Sequence, residues 1–385
     1  MKRVFSSALV ASLLLTGFIP TSVAAPTPKA GAACLKVGQS SIEKSSSKKL
    51  VCNKSGKKLI WSYSASQVAT PAETKPNVEA TPAAPAIDPI RAASFNSVHA
   101  MTCGNSHPHI NVTTTIGTNT PADVLKAAAA EIERTLNCFD SFFDTNIDLQ
   151  VAYVTEKDSD LVESKLPSIM GPQELGVLKN VLARYEAKSW GPSGGSGGGV
   201  AGKNSFGTNY YLILHLASYT SMQTYLLKNV MHEFAHVLQG YGRKDYRTTT
   251  NDSWYENVPG YFTEGGADTI AYAFTESTLS GYDFKLNRSF KDLTMGALSA
   301  RNLPDLTAAR SLLETIKSPA NQQARDVQYP FGAMVCDYII GKYGVDKFLA
   351  LMKGASKYPK WGDNVTATLG VSQVDLETAA LTWGL

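Results

Sequence analysis

The stretch of this 385-residue chain that most narrows its possible folds is Val230-Met231-His232-Glu233-Phe234-Ala235-His236-Val237-Leu238. Leu226, Val230, Phe234, Val237 and Tyr241 recur at helical spacing behind the capping box Thr220-x-x-Gln223, so the pattern predicts a helix over 220–241. Residues four apart stand one turn above each other on one helix face. His232 and His236 therefore project together and suit a shared Zn²⁺. Glu233 is turned about 100° from His232, a poor place for a third ligand but a good one for taking a proton from a metal-bound water. With six histidines in the chain, chance gives such a pattern roughly 0.004 times per chain, so accident explains it badly.

A catalytic zinc takes three protein ligands and keeps one position open. The metzincin pattern would need Gly at 239 and His at 242, where this chain has Gln239 and Gly242, and no histidine follows His236. The third ligand is then a carboxylate or an upstream histidine. Pro259-Gly260-Tyr261-Phe262-Thr263-Glu264-Gly265-Gly266-Ala267-Asp268 supplies a carboxylate, Glu264, 28 residues after His236 on a second predicted helix able to pack against the first. His107-Pro108-His109 reads as a surface turn.

His232-Glu233-x-x-His236 followed by Glu264-Gly-x-Ala resembles the gluzincin metallopeptidases, in particular the peptidase MA-like group, over about residues 210–344. The resemblance implies a zincin-like domain with zinc held by His232, His236 and Glu264, Glu233 as general base, and a peptide or protein substrate. It also implies that Asp268, four residues after Glu264, is the acidic group that orients the first histidine, as in thermolysin-like enzymes. Hydrolysis further needs a donor for the tetrahedral oxyanion. Zinc aminopeptidases carry a tyrosine some sixty residues beyond the glutamate ligand, and Tyr329, 65 residues after Glu264 at the start of YPFGAMVCDYIIGKYG, matches it, with Tyr338 and Tyr255 as further candidates. The aminopeptidase Gly-x-Met-Glu-Asn signature is absent. In this family an extended substrate pairs with a strand ahead of the active helix, a place that YYLILHL at 210–216 would fill.

The rest of the chain sets the context. At 43% hydrophobic and 18% charged, the composition excludes a wholly disordered, collagenous or multi-span membrane protein. Met1-Lys2-Arg3, an apolar run from Val4 to Ile19 and small residues up to Ala25 read as a signal peptide over 1–25, with no later segment able to span a membrane. The expected location is secreted, extracellular or associated with the cell envelope. Export permits disulfides, and the five cysteines suggest Cys34–Cys52 and Cys103–Cys138, with Cys336 a buried thiol.

Residues 26–63 carry eight lysines and one glutamate, a net +7. This cysteine- and lysine-rich segment resembles small modules at the start of exported actinobacterial proteins and suits an anionic envelope polymer; the alternative is a solvated spacer. The formal charge of the whole chain, +3, gives no reason to expect nucleic acid. Residues 64–92 read as a Pro/Ala-rich linker, and 93–385 as one metallopeptidase domain. Within it, helices are expected at 120–143, 173–188, 220–241, 259–275, 304–317, 328–343, 345–354 and 372–383, strands at 147–155 and 210–216, and a loop at 191–202. A small N-terminal sheet followed by a mainly helical part is an α+β pattern. Two other functions fit the same residues: a catalytically silent zinc protein binding a polymer or protein partner, and a zinc amidase acting on cell-wall peptide.

Overall fold

The computed structural model describes residues 29, 32–34, 36–37, 39–42, 49–55, 58–63, 87–170, 172–186, 199–203, 210–216, 223–242, 258–291, 294–295, 298–299, 305–317 and 322–384. Residues 1–25, read as a signal peptide, the stretch read as a linker up to residue 86, the glycine-rich stretch up to residue 198, Thr220 and Tyr255 lie outside them. The chain divides into two compact units, Met1–Ala83 and Ala84–Leu385.

In the first unit β1 (Ser40–Ile42), β2 (Lys49–Ser55) and β3 (Lys58–Tyr63) form an antiparallel sheet in that order. Cys52 sits opposite Trp61 and bonds Cys34, and with Leu50 these four side chains make the buried cluster among the described residues, Ala32 and Leu59 packing against it. So small a core depends on its crosslink. Lys29, Lys36, Lys54 and Lys58 are exposed.

The second unit opens with α1 (Pro89–His99), which begins inside the stretch read as linker and runs past its end at 92, and Asp88 caps the helix by accepting from the Ile90 and Arg91 backbone N–H groups. Then follow β4 (Ile110–Ile116), α2 (Ala122–Phe139), β5 (Ile147–Val154), α3 (Ser159–Ser164), α4 (Pro172–Glu186), β6 (Gly199–Lys203) and β7 (Tyr210–His215). The sheet order is β4-β5-β7-β6, with β4, β5 and β7 parallel and β6 antiparallel to β7. Side chains alternate between the two faces. Leu149, Val151, Leu212 and Leu214 face the main helical core. Ala152, Val154, Tyr211 and Ile213 pack with Leu178 and Leu182 of α4. With both faces covered, YYLILH reads as a continuous apolar run.

Two expectations change here. Gly199–Lys203 is a strand, so the glycine-rich loop ends before 199. The inner strand β7 is paired on both sides and the edge beside it belongs to β6, so β7 cannot receive an added strand.

Helices dominate the remainder: α5 (Gln223–Tyr241), α6 (Gly260–Thr275), α7 (Leu279–Lys291), α8 (Leu306–Lys317), α9 (Gln322–Tyr343), α10 (Val345–Gly354), α11 (Trp361–Leu369) and α12 (Gln373–Gly384), with a short hairpin of β8 (Thr294–Met295) and β9 (Leu298–Ser299) after α7. The domain is therefore mixed α+β. Among the described residues no helix is long and apolar enough to cross a membrane. Cys103 bonds Cys138, and Cys336 is a free, buried thiol.

The central helix is α6, buried from Gly260 to Phe274 except at Glu264. It packs on α5 along one side and on α9 along another. The crossing with α9 is backbone to backbone. A Cβ on Gly265 would lie 2.1 Å from the Gly332 carbonyl carbon, and one on Gly332 would lie 2.3 Å from the Tyr261 carbonyl oxygen. Thr269 Oγ1 donates across the joint to the Ala333 carbonyl at 3.0 Å. Gly265→Ala is accordingly expected to cost roughly 3 kcal/mol in denaturant unfolding. A loss within about 0.5 kcal/mol, typical of an exposed site, would show that the helices separate freely.

Candidate metal centre

Three side chains from two helices converge. Glu264 Oε2 of α6 lies 3.6 Å from His232 Nε2 and 3.6 Å from His236 Nε2 of α5. One ligand atom from each of the three lies within 4.8 Å of the others. Tetrahedral ligation with bonds of about 2.05 Å places ligand atoms about 3.3 Å apart, so a small inward movement would close these three around an ion.

The chemistry of the donors fits a divalent cation. Glu264 Oε2 is buried and has no hydrogen-bond partner among the described residues, an arrangement that costs free energy unless an ion takes the lone pair. The far nitrogen of His236 is hydrogen-bonded, and that of His232 makes a close contact with a carboxylate that lacks hydrogen-bond geometry. His232 Nδ1 lies 2.6 Å from Asp268 Oδ1, and His236 Nδ1 lies 2.9 Å from Gln239 Oε1. Gln239 is fixed in turn, since its Nε2 donates to the Thr263 carbonyl at 2.9 Å. With an ion bound, protons kept at Nδ1 would leave both Nε2 lone pairs for the metal. Glu233, buried next to His232, completes a set of three carboxylates with Glu264 and Asp268.

Sequence reasoning missed two members of this group. Gln239 is three residues after His236 and Lys228 is four before His232, both spacings that share a helix face. Lys228 Nζ forms an ion pair with Asp268 Oδ1 and sits 5.2 Å from the centre of the Tyr272 ring.

The ionisation of the group follows from burial and neighbours. Burial alone would raise Asp268, but Lys228 and His232 outweigh it and hold the carboxyl at about 2. Burial and Lys228 both disfavour a charged His232, yet Asp268 and Glu264 prevail, and in the metal-free protein its pKa is raised to about 9. Glu264, also disfavoured by burial as an anion, is held well below its ordinary value by the two histidines. Lys228 is kept charged against its burial chiefly by Asp268, with Tyr272 and Glu233 adding to it.

The tyrosines divide. The Tyr329 ring stacks beside His232 with centroids 5.8 Å apart and planes 15° from parallel. Tyr338 instead packs on Trp383, centroids 5.8 Å apart. Tyr329 does not open its helix: α9 starts at Gln322 and carries Pro330 inside it. Proline favours the first helical turn, which made Pro330 look like a beginning. His107 and His109 sit in the turn entering β4, the first 3.5 Å from Glu133 and the second 2.7 Å from Asp140.

No family model, curated protein or solved structure matches this chain. The functional reading therefore stands on the site itself.

Proposed function

We propose that this protein is an exported zinc-dependent peptidase of the gluzincin type, with His232, His236 and Glu264 as ligands. The observation that carries the reading is Glu264 Oε2, unpartnered and equidistant at 3.6 Å from two imidazole nitrogens, with Glu233 next to the first of them on the same helix.

A bound zinc ion supplies a Lewis acid that acidifies water and polarises a carbonyl. Glu233 accepts the proton of the attacking water at its carboxylate and returns it to the leaving amine. Tyr329, beside His232, donates from its hydroxyl to the oxygen that becomes negative in the tetrahedral species. Asp268 and Gln239 hold the two imidazoles in register. The edge strand β6, packed along α5, pairs with β7 and with no other strand among the described residues, a place suited to an added extended peptide, and this favours a peptide over other amides. The two disulfides agree with export.

The test is cleavage of a mixed peptide library by the full chain, before and after removal of metal with a chelator. Cleavage should stop on chelation and return with zinc. A protein that holds zinc, cleaves nothing and is retained on an anionic polymer in a salt-dependent way would instead be a silent zinc protein whose basic module binds polymer. Release of stem peptide from cell wall, with no cleavage in the library, would make it an amidase.

A further inference from the structure

Lys228 has no part in the steps above, yet its position is hard to account for as packing. Its side chain is 16% exposed, and a largely buried ammonium costs free energy unless its partners are well placed; on α5 it stands between the exposed Leu227 and the fully buried Val230 and Met231. Its partners are specific. Lys228 Nζ contacts Asp268 Oδ1, the same oxygen that lies 2.6 Å from His232 Nδ1. Lys228 and His232 stand one turn apart on α5 and Asp268 comes from α6, so one carboxylate oxygen joins both helices beside the ligands.

We infer that Lys228 is a positioning residue for the metal centre, anchoring Asp268 so that its carboxylate holds His232 with Nε2 turned toward Glu264. The inference rests on the zinc-binding reading above. An ion pair that only tied α5 to α6 would serve anywhere along their contact, whereas this one ends on the group that orients a ligand. Formal charge supports the same role. Glu233, Glu264 and Asp268 are balanced by Lys228 and one divalent cation together, and without the lysine a filled site would hold one buried negative charge in excess.

The test is competition for zinc between the full chain and a chromophoric chelator, with thermal unfolding of the metal-free protein recorded alongside, for Lys228→Met, Asp268→Asn and the double variant. Lys228→Met should weaken zinc binding about 10- to 100-fold, as loss of a group supporting a ligand does. The double variant should bind zinc no more weakly than Asp268→Asn alone, within about twofold, because the lysine acts through the carboxylate. It leaves neither charge unpaired, so it keeps the comparison available even where Lys228→Met fails to fold. A folded Lys228→Met with wild-type zinc affinity and only a lowered unfolding temperature would overturn the inference. So would a double variant about tenfold weaker than Asp268→Asn. A wild-type chain that takes up no zinc would overturn the metal reading itself, a result separate from either of these.

Discussion

Glu233→Gln is expected to bind one zinc ion per chain and to cleave peptides about 10³-fold more slowly than the wild type, within the range general-base catalysis supplies. The replacement preserves side-chain volume and removes only the ability to take a proton. Glu233 is not among the three convergent ligands, so zinc content should not change. It is buried beside His232, and an amide there still occupies the space and can still orient water. A fall in rate with zinc retained therefore isolates the proton transfer. The measurement is single-turnover cleavage of a library-derived peptide, paired with elemental analysis of the same sample. Cleavage at the wild-type rate would remove Glu233 from the mechanism and turn attention to another base. Loss of zinc along with activity would mean that Glu233 helps to hold the ion.

How much of this site could be read from the chain depends on where each contact comes from. The pair His232 and His236 needs only a helix, and of the five apolar positions that predicted it Leu226, Val230, Phe234 and Val237 are buried and Tyr241 is half-buried. Glu264 required a second helix packed on the first, which α6 provides. Lys228 and Gln239 were missed because their partners, Asp268 and the Thr263 carbonyl, lie on α6; their spacing on α5 was visible, its purpose was not. The strands show the same division. Strand β7, buried on both faces, announces itself by its apolar run. Strand β4, INVTTTI, places Ile110, Val112 and Ile116 at period two in a β-branched run, a strand signal that sequence reasoning passed over, although most of its length is exposed. In β6, GVAGK, glycines argue against a strand in isolation, and only pairing with β7 makes it one.

The helix crossing explains why a glycine directly follows Glu264. Gly265 lets α9 approach α6 until backbones touch, and the same crossing brings Tyr329, one turn before Gly332 on α9, beside His232. The resemblance to zinc aminopeptidases pointed to Tyr329 by its distance along the chain from Glu264. The structure brings its ring there through the joint of two glycines.

Glu264→Ala is expected to abolish stable zinc binding and all hydrolysis with it. Zinc sites with four ligands bind with roughly 10–16 kcal/mol of apparent free energy, which puts one ligand at roughly 2.5–4 kcal/mol and its loss at about 10²- to 10³-fold in affinity. The two histidines that remain are a turn apart on α5 and gain no substitute, since His232, His236 and Glu264 form the one candidate metal-holding group among the described residues. Elemental analysis after dialysis, wild type beside the variant, reads the effect directly. One zinc per wild-type chain and little in the variant would establish the two-histidine, one-glutamate ligand set on which every other prediction depends. A full complement of zinc in Glu264→Ala would displace Glu264 as a ligand, and the unpartnered Oε2 would need another explanation. No zinc in the wild type, even after reconstitution, would end the enzyme reading and leave the basic N-terminal module as the stronger indication of function.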